Sequence, residues 1–217
     1  MRSNHFFVLL RHAEAHKNVL NQHGGKGSAL SSKGVQDAHG IGQFFRIQNL
    51  NVQTVIAIDK PQCHETAKII CQEIGCTQVE VAPLSTFSLG ILDGLSENDV
   101  RQRYEVLARL LDQWRSGFAE AHELRAIPGA TDPSWYFSQG EAFLTGVKPH
   151  LANHDVVLIA TRSVLVVLTN ILLGRNPSVG GGYREVPWPN GSYATFANGI
   201  DGEFQLIQER TNVPYFS

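Results

Sequence analysis

The apolar positions of this 217-residue chain fall into two kinds of pattern, and the pattern changes at regular intervals. Phe6-Phe7-Val8-Leu9-Leu10 is an unbroken apolar run, and Val156-Val157-Leu158-Ile159-Ala160 is another. Short continuous runs of this kind predict strands buried on both faces, as in a parallel sheet. Val52–Ile58 predicts a further strand, and the alternating Gln78–Ala82 a shorter one. Between them the spacing changes to three and four. Val35, Ala38, Ile41, Phe44 and Phe45 predict a helix from Ser31-Ser32 to about Leu50, despite Gly34, Gly40 and Gly42, which lower its intrinsic propensity. Ala67, Ile70 and Cys71 mark a helix from about Gln62 to Ile74, with Pro61 near its first turn. Val100, Tyr104, Leu107, Leu110, Leu111 and Trp114 predict one helix over 98–118, and further helices are expected over 135–152 and 162–173.

The intervening segments have loop composition. His16–His23 is polar and runs into Gly24-Gly25-Lys26-Gly27-Ser28, and Pro83–Gly94 and Ala126–Pro133 are irregular. Gly180-Gly181-Gly182 opens a flexible loop, and Tyr193–Ala197 with Phe204–Ile207 predicts a closing hairpin around 198–202. Strands alternating with helices imply a three-layer αβα sandwich with a mainly parallel central sheet, expected as one domain over 1–217. Segments of about 84–96 and 118–136 are expected to lie over the sheet end as lids.

Composition narrows the function classes. With 42% hydrophobic and 18% charged residues the chain can bury a substantial core. A formal net charge of −2 offers no global attraction to nucleic acid or an anionic membrane, so any anion site must be local. No stretch is long enough to span a membrane, and Arg11 interrupts the only N-terminal apolar run, so a cytoplasmic protein is expected. Three cysteines, Cys63, Cys71 and Cys76, without a C-x-x-C pair, predict free thiols rather than a zinc site or disulfide framework. His5, His39, His122, His150 and His154 lack metal-ligand spacing, and neither metal nor cofactor is expected.

The candidate chemistry lies where the first strand ends, at Arg11-His12. Ligands of open α/β sheets bind beyond the carboxyl ends of the strands. An imidazole there can attack phosphorus while a guanidinium holds two of its oxygens through a planar fork. Arg11-His12-Ala13-Glu14 with Asn18 resembles the Arg-His-Gly-Glu-x-x-x-Asn signature of the histidine phosphatase superfamily, in its phosphoglycerate-mutase-like branch. Leu30-Ser31-Ser32-Lys33-Gly34, Glu65-Thr66-Ala67, Leu84–Gly94, Leu158–Arg162 and Pro189-Asn190-Gly191-Ser192 follow in the family's order. The resemblance implies that His12 is the nucleophile that becomes phosphorylated, and that Arg11 and Asn18 hold the phosphate. It also exposes departures. Gln62 stands where a second arginine belongs, Thr86 where the proton-donating glutamate belongs, and Arg162 where a second histidine belongs, or Thr161 if the alignment moves by one residue.

Arg162 restores one cation, and beside His12 it would favour a neutral imidazole. General acid assistance is typically worth about 10²- to 10⁴-fold, and Thr86 cannot provide it. The expectation is therefore a phosphatase acting through phospho-His12 on a phosphorylated small molecule or labile phosphate, with atypical or reduced activity. Asp93 and Asp132 are the candidate substitute acids. The alternative is a degenerate module that binds phosphate, a phosphometabolite or a protein partner through Arg11, Asn18, Gln62 and Arg162, and elimination or acyl chemistry on the same pocket is a third reading. Glu14 is either a loop-orienting or an acidic group. Cys63 and His64 open a helix near the pocket, where a helix N-terminus would lower a thiol pKa. His16 and His23 are candidates for the entrance, and Trp135, Tyr136 and Phe137 for a lid or a hydrophobic staple.

Overall fold

The computed structural model describes residues 5–76, 78–116, 118–175, 187–198 and 204–212. Its centre is a six-stranded sheet. Phe6–Arg11 (β1) and Asp155–Ala160 (β4) pair in parallel at the middle, Val52–Ala57 (β2) pairs with β4, and Gln78–Val81 (β3) closes that edge. Ser192–Asn198 (β5) runs antiparallel to β1, and Phe204–Asn212 (β6) extends it as the expected hairpin. The order is β3-β2-β4-β1-β5-β6, three parallel pairings and two antiparallel ones. The two unbroken apolar runs became the two central strands, where both faces are covered; Phe7–Leu10 and Val156–Ala160 are all buried. β3 is an edge strand with Val81 exposed, consistent with its alternating sequence.

Helices His16–Val19 (α1), Ser32–Ile47 (α2), Pro61–Ile74 (α3), Glu97–Arg103 (α4), Glu105–Arg115 (α5), Pro133–Val147 (α6) and Arg162–Leu172 (α7) flank the sheet in the expected αβα arrangement. Three local expectations change. The polar segment after Glu14 contains the short α1. The helix predicted over 98–118 breaks at Tyr104, whose φ of −136° and ψ of 53° leave the helical region, so two short helices replace one. The helix expected to reach residue 152 stops at Val147, and His150–Ala152 forms a 3₁₀ turn after Pro149. Proline has no N–H with which to continue the ladder. The Gly180-Gly181-Gly182 loop lies outside the described residues.

The cysteine expectation is corrected. Cys71 and Cys76 form a disulfide, and only Cys63 is free. Gly75, at φ 76°, ends α3 in the left-handed region and turns the chain back, which brings the two Cα atoms to 4.9 Å. A spacing of five residues hid the pair because the turn that closes it is not part of any cysteine motif.

Two of the glycines in α2 prove to be packing devices. A Cβ on Gly34 would meet the Glu14 carbonyl oxygen at 1.9 Å, and one on Gly42 would meet the Glu73 Cβ at 2.5 Å. The helix gives up propensity so that the loop after β1 and the neighbouring α3 can approach its backbone. Nothing lies within 4 Å of the corresponding point on Gly40.

Candidate active site

Parallel pairing of β1 with β4 sets Arg11 opposite Ala160, so residues just past both strands meet at one sheet end. The His12 N–H donates to the Ala160 carbonyl at 3.1 Å, and Thr161 and Arg162 begin α7 beside it. A cavity of about 220 Å³ opens there. Arg11, His12, Asn18, Gln62, Thr86 and Arg162 all line it, although they come from five separate chain segments.

The loop after β1 is held from several sides. The Ala13 N–H donates to Thr66 Oγ1 at 3.2 Å, and Thr66 in turn donates to the Gln62 carbonyl at 2.7 Å. The Glu65 carboxylate accepts from the Leu30 N–H at 2.8 Å. Glu14 accepts from Ser31 Oγ at 2.7 Å, while Ser31 caps α2 by accepting from the Gly34 N–H. Glu14 is thus a loop-orienting group and does not line the cavity.

His12 is 2% exposed, and its Nδ1 sits 2.7 Å from the Ala13 carbonyl oxygen. A carbonyl only accepts, so Nδ1 carries the proton and Nε2 carries the lone pair. Burial foremost, then the Arg11 charge, lowers the pKa to about 3, with a smaller contribution from Lys17. The imidazole is therefore neutral at physiological pH. Arg162, expected to exert this influence, is not among the charges responsible; Lys17, from α1, is.

Asn190 was missed as a functional candidate, although its motif was recognised. Its Nδ2 donates to the His12 carbonyl at 3.1 Å and to Asn18 Oδ1 at 3.2 Å. Asn18 Oδ1 also accepts from the Ala15 N–H, which commits its oxygen and leaves its amide nitrogen for a ligand. Gln62 follows the same logic: Oε1 accepts from the Ser28 N–H at 3.2 Å, leaving Nε2 as a donor. Arg11 donates through Nη1 to the Trp188 carbonyl.

Five cationic residues line the cavity, Arg11, Lys17, Lys60, Arg115 and Arg162, and among the described residues no carboxylate does. Lys17, Lys60 and Arg115 were not legible in the sequence because a lone basic residue, in a turn or at a helix end, has no pattern of its own. Both proposed substitute acids are engaged elsewhere. Asp93 accepts from Ser88 Oγ at 2.7 Å and from the Leu89 N–H at 3.0 Å. Asp132 caps α6 and pairs with Arg125 at 2.7 Å, which holds its carboxyl below the usual range. Neither lines the cavity.

Of the other candidates, His23 lines the cavity and His16 does not. Burial, with the Arg115 charge, holds His23 below the ordinary histidine pKa. His64 faces Asp59 at 3.2 Å, outside the cavity. Cys63 is packed in the core, and burial pushes its thiol pKa up rather than down, so the helix N-terminus does not activate it. Tyr136 lines the cavity, Phe137 is buried in the core, and Trp135 is exposed outside the site. The two segments expected as lids each contribute lining residues, and they bond to each other through Ser88 and Thr131 at 2.9 and 3.0 Å. Among the described residues no helix is long and apolar enough to cross a membrane, and no group of three or more His, Cys, Asp or Glu is placed to hold a metal ion.

The family described as the histidine phosphatase superfamily (branch 1) matches residues 7–198. The chain belongs to that superfamily. Among curated proteins it is 27% identical over 167 residues to the "Probable phosphoglycerate mutase GpmB" of Erwinia tasmaniensis, covering 76% of this chain and 74% of that one. Among solved structures, a phosphoglycerate mutase from Bacillus anthracis superposes with a TM-score of 0.75 at 17% identity, covering 95% of this chain and 93% of the other. A mycobacterial glucosyl-3-phosphoglycerate phosphatase in complex with VO3 gives 0.74 at 18% identity, covering 97% and 100%. At these identities the structural matches speak for the fold, which is that of the phosphoglycerate mutases.

Proposed function

We propose that the protein is a phosphohydrolase that works through a phosphohistidine at His12, on phosphorylated small molecules whose leaving group departs without a proton. The observation that carries this reading is the fixed tautomer of His12. With Nδ1–H committed to the Ala13 carbonyl and the imidazole neutral, Nε2 is a ready nucleophile. The same carbonyl stabilises the imidazolium that forms when Nε2 binds phosphorus. Arg11, Arg162, and the free amide ends of Asn18 and Gln62 are the groups for the phosphoryl oxygens.

The altered acid position decides the substrate preference. Thr86 lines the cavity, and the resemblance sets it at the position of the family's glutamate; the loop carboxylates Asp93 and Asp132 are spent on hydrogen bonds outside the cavity. Alkyl phosphates, which require protonation of the departing oxygen, lose most. Acyl phosphates and other labile phosphates lose least.

The test is hydrolysis of acetyl phosphate and p-nitrophenyl phosphate, with trapping of the phosphoenzyme by an alkaline detergent quench. The wild-type protein should form an acid-labile, base-stable adduct and His12→Ala should form none, with turnover falling at least 100-fold. A rate that survives His12→Ala would remove the proposal. The carboxylate-free, cation-rich lining also favours a second reading, in which the pocket retains an anion without turning it over. Tight orthophosphate binding with no phosphoenzyme from any donor would select that reading.

A further inference from the structure

Lys17 and Lys60 come from different segments, yet the loop between them ties both to the cavity. Lys17 Nζ donates to the Gly24 carbonyl, and Lys60 Nζ donates to the Gly25 carbonyl at 3.0 Å. The two ammonium groups thus donate to carbonyls of adjacent residues in one loop. Gly24 and Gly25 have φ of 40° and 76°, and a Cβ on Gly24 would meet the Asp93 carboxylate at 1.8 Å, so this loop geometry is a glycine geometry. Among the described residues neither lysine forms an ion pair; their bonding partners are neutral. The one carboxylate whose field reaches Lys17 is Asp93, and it is committed to Ser88 and Leu89. Burial, then the Lys60 charge, holds Lys17 below the ordinary lysine pKa.

Two half-buried, mutually repelling cations are costly unless a ligand anion completes them. A single transferred phosphoryl group already has Arg11 and the amides of Asn18 and Gln62. We propose that Lys17 and Lys60 form a second anion subsite adjoining His12, and that the substrate is a phosphoanhydride whose departing phosphate sits there. This inference rests on the phosphohydrolase reading for its chemistry and accounts for the altered acid position. His12 Nε2 attacks the terminal phosphorus, forming the N–P bond as the bridging P–O bond breaks. The bond's electron pair leaves on the bridging oxygen, and the two ammonium groups take up the charge that a proton from a carboxylic acid would otherwise neutralise. Water then attacks the phosphohistidine, the N–P bond breaks back to neutral His12, and both protons of the water leave with the second phosphate as dihydrogen phosphate.

Calorimetric titration with methylenediphosphonate, a non-hydrolysable diphosphate, and with orthophosphate tests the subsite apart from turnover. The wild-type protein should bind the diphosphonate at least 10-fold more tightly than orthophosphate. Lys60→Gln and Lys17→Gln should each bring that ratio towards one, and Lys60→Arg should restore it. Orthophosphate binding in the same variants reports that the pocket is still formed. In parallel, pyrophosphate should be hydrolysed with a higher kcat/KM than phenyl phosphate, and Lys60→Gln should abolish the difference. A wild-type ratio near one, or a ratio that survives both lysine substitutions, overturns the subsite. Loss of His12-dependent turnover on every substrate, with the lysine-dependent ratio intact, would instead refute the phosphohydrolase reading and leave a diphosphate-binding site.

Discussion

Neutral, buried His12 ties folding stability to pH in a way that can be measured without knowing the substrate. Its pKa is lowered from 6.5 to about 3 in the folded protein, mainly by burial and by Arg11. Above pH 6.5 both states hold a neutral imidazole and the group contributes no slope. Below it the unfolded chain takes up a proton that the folded chain refuses. Stability is therefore lost as pH falls from 6.5 towards 3, by about 1.4 kcal/mol per pH unit. Between pH 6.5 and pH 5 the loss from this residue comes to about 2 kcal/mol, a large fraction of a typical domain's stability. His12→Asn removes the titrating group and keeps a polar side chain. Urea unfolding of the wild-type and variant proteins at pH 7.5, 6.5, 5.75 and 5 isolates the effect. His23 and His154, whose pKa values are also lowered, remain in both proteins and cancel in the difference. The wild-type protein should lose about 2 kcal/mol more than the variant across the acidic interval. Parallel curves would show that His12 is protonated in the folded state, and the nucleophile argument would fall with it.

The glycines of α2 should respond with opposite signs. Gly34→Ala drives a Cβ onto the Glu14 carbonyl oxygen and should cost about 2 kcal/mol or more by overpacking, whereas Gly40→Ala meets open space and should stabilise by up to about 1 kcal/mol through helix propensity. Chemical denaturation midpoints decide this, and equal signs would contradict the described packing. Asn190→Ala removes the amide that spans the His12 carbonyl and Asn18 Oδ1. It should lower kcat for acetyl phosphate about 10-fold, the scale of about 1.4 kcal/mol for a lost positioning hydrogen bond. Full activity in that variant would deny Asn190 its positioning role.

The sequence by itself determined the strand order's raw material and the first half of the candidate site. Phe6–Leu10 and Val156–Ala160 read as central strands because only a strand covered on both faces tolerates an unbroken apolar run. Arg11 and His12 were legible because they follow such a strand directly, where α/β sheets place their ligands. Helix breaks were not legible: Tyr104 continues the apolar periodicity of its neighbours, yet its backbone leaves the helix. Nor was the cysteine pair, which depends on the left-handed turn at Gly75.

Tertiary structure alone decided which polar residues face the cavity. Asp93 and Asp132 have the right chemistry for an acid, but hydrogen bonds to Ser88, Leu89 and Arg125 claim their oxygens. Lys17 and Lys60 have the composition of solvated surface, yet both line the cavity and donate to carbonyls of the adjacent Gly24 and Gly25. Hydrophobic periodicity is a property of neighbouring residues and survives in a one-dimensional reading. Charge pairing depends on distances between segments far apart in the chain, and those distances exist only once the sheet has brought the strand ends together.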